Sequence, residues 1–443
     1  MPRFSAESAP LQRASFVSFD GAVALPAWHQ RPDRYRHLQH DLGTVARIAR
    51  GGGYSYAAAS FGEDVIVQDM RAFNRILAFD GNDRVRVEAG IAIGDLLEWT
   101  QRRELYPSVL PGYPLITVGG CIAADVHGKS SDRDGTFADI VDELTLYHPS
   151  MGFRSIGRAA NPDLFARTCG GFGLTGVIVD ATLRLSRLPA NAVRVVGSPV
   201  RSFDEAIERL MNERSDFAYS WHNGAARKSR FGRGLVFVGE WADGEPTARP
   251  RFSPMTAASR AAWPLLWNRS TVRLANGAFR WHKRRVAADV RSLFDSAFPF
   301  ARRPAYHRFF GKRGLVEVQL LIPYNALRDF AARIESLVDR VDPPLAMVSL
   351  KRFSGSQRSL SLSGNGMLIA LDLIRSDRTL EFMRELDSMT VDFKAQPNVA
   401  KDSRLPSAVA RRALPYYDEF RSRLREIDPD RLYQSELSRR LEL

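Results

Sequence analysis

Three glycine clusters, Gly51-Gly52-Gly53, Gly119-Gly120 and Gly170-Gly171-Phe172-Gly173, limit the fold of this chain more than any other feature. Lacking a Cβ, glycine takes positive φ at little cost and lets backbone N–H groups close on phosphate oxygens, so such a cluster makes an anion-binding concavity. The first cluster, in Arg50-Gly51-Gly52-Gly53-Tyr54-Ser55-Tyr56, precedes a strand-like stretch from Asp64 to Asp69. It lacks the GxxxxGK[ST] of a P-loop, and the GxGxxG spacing with an acid about 20 residues on is not met. By itself it is more often an ordinary turn than an anion site. The order of the three clusters carries the information.

Around them the sequence alternates short strands and helices. Asp64 to Asp69 and Arg84 to Ala89 have the character of strands, and Ile93 to Arg103 that of a helix with Asp95 in its first turn. Gly176 to Ser186 alternates at period two, and Leu188-Pro189 marks a boundary. Beyond it, strands at Gly234 to Glu240 and Leu315 to Pro323, with an amphipathic helix at Asn325 to Asp339, predict a sheet layered with helices. After about residue 395 the chain turns polar, with helix expected over Ala408 to Glu426 and in the final SELSRRLEL. The expected class is α+β, divided into 1–190, 191–395 and 396–443. At 443 residues and 44% hydrophobic, the chain can bury the cores of two or three domains.

Two cysteines, Cys121 and Cys169, and eight scattered histidines exclude a disulfide framework and a structural zinc site as organising principles, and suit a reducing compartment. The first residues, MPRFSAESAPLQRASF, lack the apolar stretch of a secretory signal, and no run of about 18 apolar residues is present.

The second cluster lies in Pro111-Gly112-Tyr113-Pro114-Leu115-Ile116-Thr117-Val118-Gly119-Gly120, leading into Cys121-Ile122-Ala123-Ala124-Asp125-Val126-His127-Gly128-Lys129; the third opens Cys169-Gly170-Gly171-Phe172-Gly173-Leu174-Thr175-Gly176-Val177-Ile178. The order RGxGxSY, V-E-A-G at Val87 to Gly90, TVGGxIAxDxHGK and GGxGLTGVI resembles the PCMH-type flavin domain of the vanillyl-alcohol-oxidase superfamily. His127-Gly128-Lys129 followed by Asp134-Gly135-Thr136-Phe137, then Ala400-Lys401-Asp402-Ser403-Arg404 and the ending Ser438 to Leu443, is similar to the decaprenylphosphoryl-β-D-ribose oxidase family. The similarity runs from about residue 40 to the end and is thinnest between 190 and 310.

That resemblance implies noncovalent FAD between a flavin domain and a substrate domain, residues 396–443 returning to the first. It implies oxidation of the ribose 2-hydroxyl of a polyprenyl-phosphate sugar, after which a short-chain NAD(P)H reductase acts on the keto product. It places the FAD pyrophosphate on Arg50, Gly51, Gly53, Ser55 and Tyr56, with Gly52, Tyr54, Gly112, Thr117, Val118, Gly119, Gly120, Ala124, Asp125, His127 and Ile178 around the cofactor. It gives Lys129, Trp221, Gln319 and Lys351 to the substrate and makes Lys401 the catalytic base. Read without the family, Lys401 could pair with Asp402 or another surface acid, Gln319 could face solvent, Tyr56 and Trp221 could be core aromatics, and the lysines could be solvated. The chain departs from the family's G-W-N-I-C-V-D stretch, with Leu368 and Ala370 in Gly366 to Asp372. Asn398 stands where a tyrosine is expected, and Ser131 and Asp132 where two histidines are. An aldonolactone or free-carbohydrate oxidase is the alternative enzyme, but the H-W-x-K motif typical of sugar-lactone oxidases is absent after residue 400.

One segment is charged in its own way. Between Glu245 and Asp289 there is no acid, while Arg249, Arg251, Arg260, Arg269, Arg273, Arg280, Lys283, Arg284 and Arg285 are interleaved with Phe252, Trp263, Leu265, Leu266, Trp267, Phe279 and Trp281. The mixture suits an anionic membrane surface, with nucleic acid as the competing partner and a solvated loop with buried tryptophans as the plain alternative. The expectation is a mobile, membrane-facing segment over the substrate entrance of a cytoplasmic protein held peripherally at the inner membrane. A non-catalytic basic membrane- or nucleic-acid-binding protein is the reading from another class.

Overall fold

The computed structural model describes residues 9–244, 255, 259, 261–285, 288–301 and 305–443, with the side chains of 269, 284, 285 and 305 aside. Arg249, Arg251, Phe252 and Arg260 lie outside the described residues.

Two large sheets and a small two-stranded one, Leu105–Tyr106 with Ser186–Arg187, form the first half. One has four strands in the order Leu11–Val17, Ala24–Gln30, Ile66–Asp69, Arg47–Arg50, the last two neighbours parallel. The other is antiparallel, in the order Ile76–Phe79, Arg84–Glu88, Val177–Arg184, Val141–His148, Gly152–Gly157. The helices Ile93–Gln101 and Val118–Ala123 share with it a core built on Val85, Val87, Leu96, Ile122, Leu144 and Ala181. The α+β class holds, and the expected strands and first helix fall within one or two residues of their predicted limits.

The second half is an eight-stranded antiparallel sheet, in the order Asp289–Ser292, Ala192–Val200, Gly234–Ala242, Phe217–Asn223, Leu345–Phe353, Gly366–Ile374, Leu315–Ile322, Gln396–Pro397. Helices Phe203–Asn212, Leu327–Val341 and Asp377–Asp392 cover one face, where Val318, Leu320, Val348, Leu350, Ile369 and Leu371 join Phe330, Ile334, Phe382 and Leu386. Side chains alternate across a strand, so the intervening residues go to the opposite face. That face carries Glu317, Gln319, Lys351, Ala370 and Asp372.

From Val399 the chain packs on the four-stranded sheet: Val399, Leu405, Ala410, Tyr417, Phe420, Leu437 and Leu443 share a core with Ala27, Ile48 and Val67. Arg47 N–H donates to Leu432 O at 2.7 Å and Gln434 N–H to Arg47 O at 3.0 Å. The continuous helix expected over Ala408 to Glu426 is instead two, Ser407–Ala413 and Tyr417–Ile427. Pro415 between them has no N–H to donate and clashes with the preceding turn, which ends the first helix.

Candidate active site

The first two glycine turns touch. A Cβ on Gly51 would lie 2.0 Å from Thr117 Oγ1 and one on Gly52 2.4 Å from the Leu115 carbonyl, so only glycine allows this approach. Gly53 has φ +73°, and a Cβ there would meet the Arg50 guanidinium at 2.2 Å. Arg50 therefore lies against the turn: it donates to Ser60 Oγ at 2.8 Å and sits 5.1 and 5.6 Å from the Phe16 and Phe61 ring centres. Burial lowers its pKa to about 10. Among the described residues, the N–H groups of Gly52, Gly53, Tyr54 and Ser55 have no acceptor. Four successive half-buried donors beside a buried cation fit an anion such as a diphosphate.

The second turn is organised by Thr117, whose hydroxyl accepts from Gly120 N–H at 3.3 Å and caps the helix Val118–Ala123. Gly119 N–H donates to Ala89 O at 2.7 Å. Val118 is a core residue with its N–H given to Ile91, and Ile178 is buried in the same core. Asp125 is buried with φ +43° and holds the Ala138 N–H at 2.8 Å, burial raising its pKa. Ala124 ends the helix, and at Gly112 a Cβ would meet nothing within 4 Å. The third cluster joins the second through Gly170 N–H to Ile122 O and Phe172 N–H to Ala123 O, at 3.0 and 2.8 Å.

The glycine turn is also tied to the C-terminal segment. Tyr56 and Ala57 donate their N–H groups to Ala400 O, both at 3.1 Å, and Ser55 Oγ donates at 3.3 Å. Lys401 follows directly, with Nζ 3.9 Å from the Tyr56 ring centre. Its partner is neither Asp402 nor a surface acid: Nζ donates to Glu317 Oε2 at 3.1 Å on the sheet face. Burial alone would raise the Glu317 pKa, but the Lys401 charge and hydrogen bonds from Tyr56, Lys401 and Gln319 outweigh it and hold the group below its ordinary value.

From this pair a polar network spreads. Gln319 Nε2 donates to Glu317 Oε1 at 2.6 Å, Asn398 Nδ2 donates to Gln319 Oε1 at 2.8 Å, and His127 Nε2 lies 3.3 Å from the same oxygen. Gln319 is buried on the site side and does not face solvent. Burial, helped by the Lys351 charge, lowers the His127 pKa to about 4, so the ring is neutral at pH 7. Glu317 is paired across the ladder with Asp372. Burial and then the Glu317 charge push Asp372 up to about 8, and Tyr306 OH donates to it at 2.5 Å.

The Lys351 charge lowers the proton affinity of Lys129, and the Lys401 charge lowers that of Lys351. Burial comes first in each case, bringing Lys129 to about 7 and Lys351 to about 8. Lys129 Nζ donates to Ser296 O and lies 5.1 Å from the Tyr219 ring centre. Lys351 has no hydrogen-bond or ion-pair partner among the described residues. Trp221 stands three strands from Gln319 and packs on Phe279, ring centres 4.8 Å apart.

The departures have structural roles. Ser131 Oγ donates to Arg352 O at 3.0 Å, and Asp132 pairs with Arg352, fastening the loop after His127 to the sheet. Leu368 is buried with Leu321, Phe353 and Leu362 as an apolar wall, and half-buried Ala370 pairs with Gln319 across the ladder. Glu317, Asp372 and Tyr306 were not singled out as site residues from sequence. Alternation in LVEVQLLIP puts Glu317 on the same face as Gln319 and could have found it; nothing near Tyr306 could.

A family described as an FAD binding domain matches residues 44–151, the stretch that carries the first two glycine turns and His127. Residues 44–151 are thus an FAD-binding domain, and the chain is an FAD-dependent oxidoreductase. The flavoenzyme is 28% identical over 422 residues to decaprenylphosphoryl-β-D-ribose oxidase of Mycolicibacterium smegmatis, covering 89% of each chain. It is 26% identical over 209 residues to cytokinin dehydrogenase 2 of Arabidopsis thaliana, covering 46% of this chain and 41% of that one. D-lactate dehydrogenase of Anaerostipes hadrus is 25% identical over 168 residues, 37% and 34% of the two chains. When bound, FAD supplies a hydride acceptor. The open donors of the Gly52 to Ser55 turn fit its diphosphate, and the neutral His127 and the Lys401–Glu317 pair stand where the flavin domain meets the sheet face.

Proposed function

We propose that the flavoenzyme oxidises a ring hydroxyl of a sugar carried on polyprenyl phosphate, the 2-hydroxyl of ribose, giving the 2-keto sugar on the way to an arabinofuranose donor, with FAD bound noncovalently. The observation that carries this reading is Lys351: a half-buried ammonium whose side chain has no hydrogen-bond partner among the described residues, beside Lys129 and on the face that holds Gln319. Lys351, with Lys129 beside it able to take up a proton when an anion arrives, suits a phosphate, and the amides of Gln319 and Asn398 suit sugar hydroxyls. The likeness to the M. smegmatis oxidase over most of both chains supports the same class of substrate. A keto product calls for an NAD(P)H reductase of the short-chain type as the next enzyme. Anaerobic mixing with polyprenyl-phosphoryl ribose, its arabinose epimer, a free aldonolactone, D-lactate and a cytokinin tests the reading. The ribose lipid should bleach the flavin first, and faster bleaching by any of the others overturns it.

A lipid-borne substrate needs access from a membrane, and we place that contact on the described part of the basic segment. Its helix Arg269–Arg285 exposes Leu274 at 75% and Trp281 at 57%, one above the other at i, i+7, flanked by exposed Arg273 and Arg280. Trp263, Leu265 and Leu266 extend the apolar surface. Two residues of the segment do not belong to this surface: Trp267 is buried with its indole N–H on Tyr306 O, and Lys283 is buried and paired with Asp289 at 2.9 Å. No helix among the described residues is long and apolar enough to cross a membrane. Each exposed arginine near anionic lipid contributes roughly 1 kcal/mol, which favours peripheral attachment at the cytoplasmic face over nucleic-acid binding. Sedimentation with phosphatidylserine vesicles should fall when Arg273 and Arg280 become Gln and Leu274 and Trp281 become Ser; unchanged sedimentation sinks the assignment.

A further inference from the structure

Lys401 in an ion pair raises a difficulty for any mechanism in which it is the base. A lysine 3.1 Å from a buried carboxylate is an ammonium, and an ammonium has no lone pair for a hydroxyl proton. The carboxylate beside it does. Glu317 is enclosed by Lys401 and Tyr56 from the flavin side, Gln319 on its own strand, Asp372 across the ladder with Tyr306 of the helix Ala305–Arg308 on it, and Lys351 from the strand beyond. Two carboxylates directly opposite in an antiparallel ladder repel when both are charged. Asp372 keeps its proton in this arrangement, which leaves Glu317 as the carboxylate charge that faces Lys401.

From this geometry we infer that Glu317 is the final acceptor of the substrate hydroxyl proton, delivered through Lys401. The inference rests on the alcohol-oxidising reading above. As the carbon–hydrogen bond breaks and its two electrons leave with the hydride for bound FAD, the substrate O–H bond breaks and a new N–H bond forms on Lys401. One of the existing N–H bonds of Lys401 breaks at the same time toward Glu317 Oε2. The products are a ketone, an unchanged ammonium, a neutral Glu317 and a cofactor reduced by two electrons. Glu317 acts through Lys401 and is a positioning and proton-storing residue, while Lys401 touches the substrate. Asp372, neutral beside it, prevents the repulsion that would otherwise keep Glu317 protonated before the reaction.

The substitution Glu317→Gln keeps the shape and removes the sink. If the relay operates, anaerobic flavin reduction in E317Q slows by about 100-fold to 10,000-fold with substrate affinity little changed. The wild-type rate stays flat from about pH 5 to 6.5, since Glu317 is held below the ordinary carboxylate range of about 4.3 and Asp372, Lys351 and Lys129 change charge only above that window. If Lys401 alone is the base, the sign reverses: removing the carboxylate frees more neutral lysine, and an E317Q rate equal to or above wild type at pH 7 overturns the relay. Infrared spectra of flavin-free protein give a readout apart from turnover. At pH 7, E317Q should lose an ionised-carboxylate band and D372N a protonated-carboxyl band; loss of the protonated band in E317Q overturns the proposed starting state. A wild type that the ribose lipid fails to reduce sinks the sugar reading by itself. The rate comparison is then made with whichever alcohol does reduce the flavin, and the infrared arm decides the starting state in either case.

Discussion

The two surfaces that meet in the candidate active site are built from different materials. The glycine turns of the flavin domain offer backbone: open N–H groups at Gly52 to Ser55, a helix capped by Thr117, and close approaches that tolerate no Cβ. The opposing sheet face offers side chains: Glu317, Gln319, Lys351 and Asp372 on three adjacent strands, most of them away from their ordinary proton affinity. Backbone donors hold an anion in the same way at any ordinary pH, whereas buried side chains respond to one another and to the proton. Cofactor binding and proton management are thereby separable, and substitutions should divide cleanly between them.

The largest expected effect belongs to the junction. Lys401→Ala should keep its fold and FAD, because Tyr56 and Ala57 hold this segment through the backbone carbonyl of Ala400. Its single-turnover flavin reduction should fall by about 100-fold to 10,000-fold, and Lys401→Arg should not restore it, since a guanidinium stays protonated. Stopped-flow absorbance checks this. A Lys401→Ala protein that purifies without flavin shows that the two surfaces are not separable.

Next comes the turn itself. Gly53→Val forces a β-branched residue to φ +73° with its Cβ against the Arg50 guanidinium. The reason is strain in the turn and displacement of Arg50, since the added carbon points at that side chain. About 1–3 kcal/mol of strain corresponds to a roughly 5- to 150-fold weaker FAD affinity. Flavin titration by fluorescence quenching measures it. Full occupancy with normal affinity removes this turn from cofactor binding.

That contrast also explains what was legible. The turns are local: each needs a few consecutive residues, so the motifs around Gly51, Gly119 and Gly170 can be read in order along the chain. The sheet face is not local. Glu317 and Asp372 meet because strands far apart in sequence pair in one register, and Tyr56, Tyr306 and Lys401 reach them from loops and a helix. Period-two alternation says that Glu317 and Gln319 share a face but not that Lys401 covers it. Likewise, the polarity of residues 408–426 predicts helix, while the break at Pro415 follows from one residue's missing N–H.

A smaller effect sharpens the division on the substrate side. Lys351→Met should leave FAD binding and the reduction rate at saturation near wild type while weakening the phosphate-bearing substrate. A hydrogen bond to a charged group contributes about 1.5–3 kcal/mol, so KM should rise roughly 10- to 150-fold. A rise in KM equally large for a sugar without phosphate would give Lys351 some other role.

The last effect is on stability and reverses sign with pH. Asp372 keeps its proton up to about pH 8, whereas an ordinary carboxyl releases it near 3.8. Between those values the folded protein holds a proton that the unfolded chain has lost, so this group makes stability fall as pH rises, by up to about 1.4 kcal/mol per pH unit. Lys129 and Lys351 act the other way. Their pKa values of about 7 and about 8 lie below the ordinary 10.5, so above pH 7 the unfolded chain binds protons that the folded one does not, and stability rises toward pH 10.5. Asp372→Asn removes only the falling limb. The variant should gain on wild type as pH moves from 5 to 7.5, with Tm rising by about 2–4 °C for each kcal/mol of penalty relieved. Differential scanning fluorimetry of flavin-free protein at both pH values measures the gain. An advantage equal at pH 5 and 7.5 would mean that Asp372 is ionised throughout, and the charge arrangement on the sheet face would have to be redrawn with both carboxylates negative.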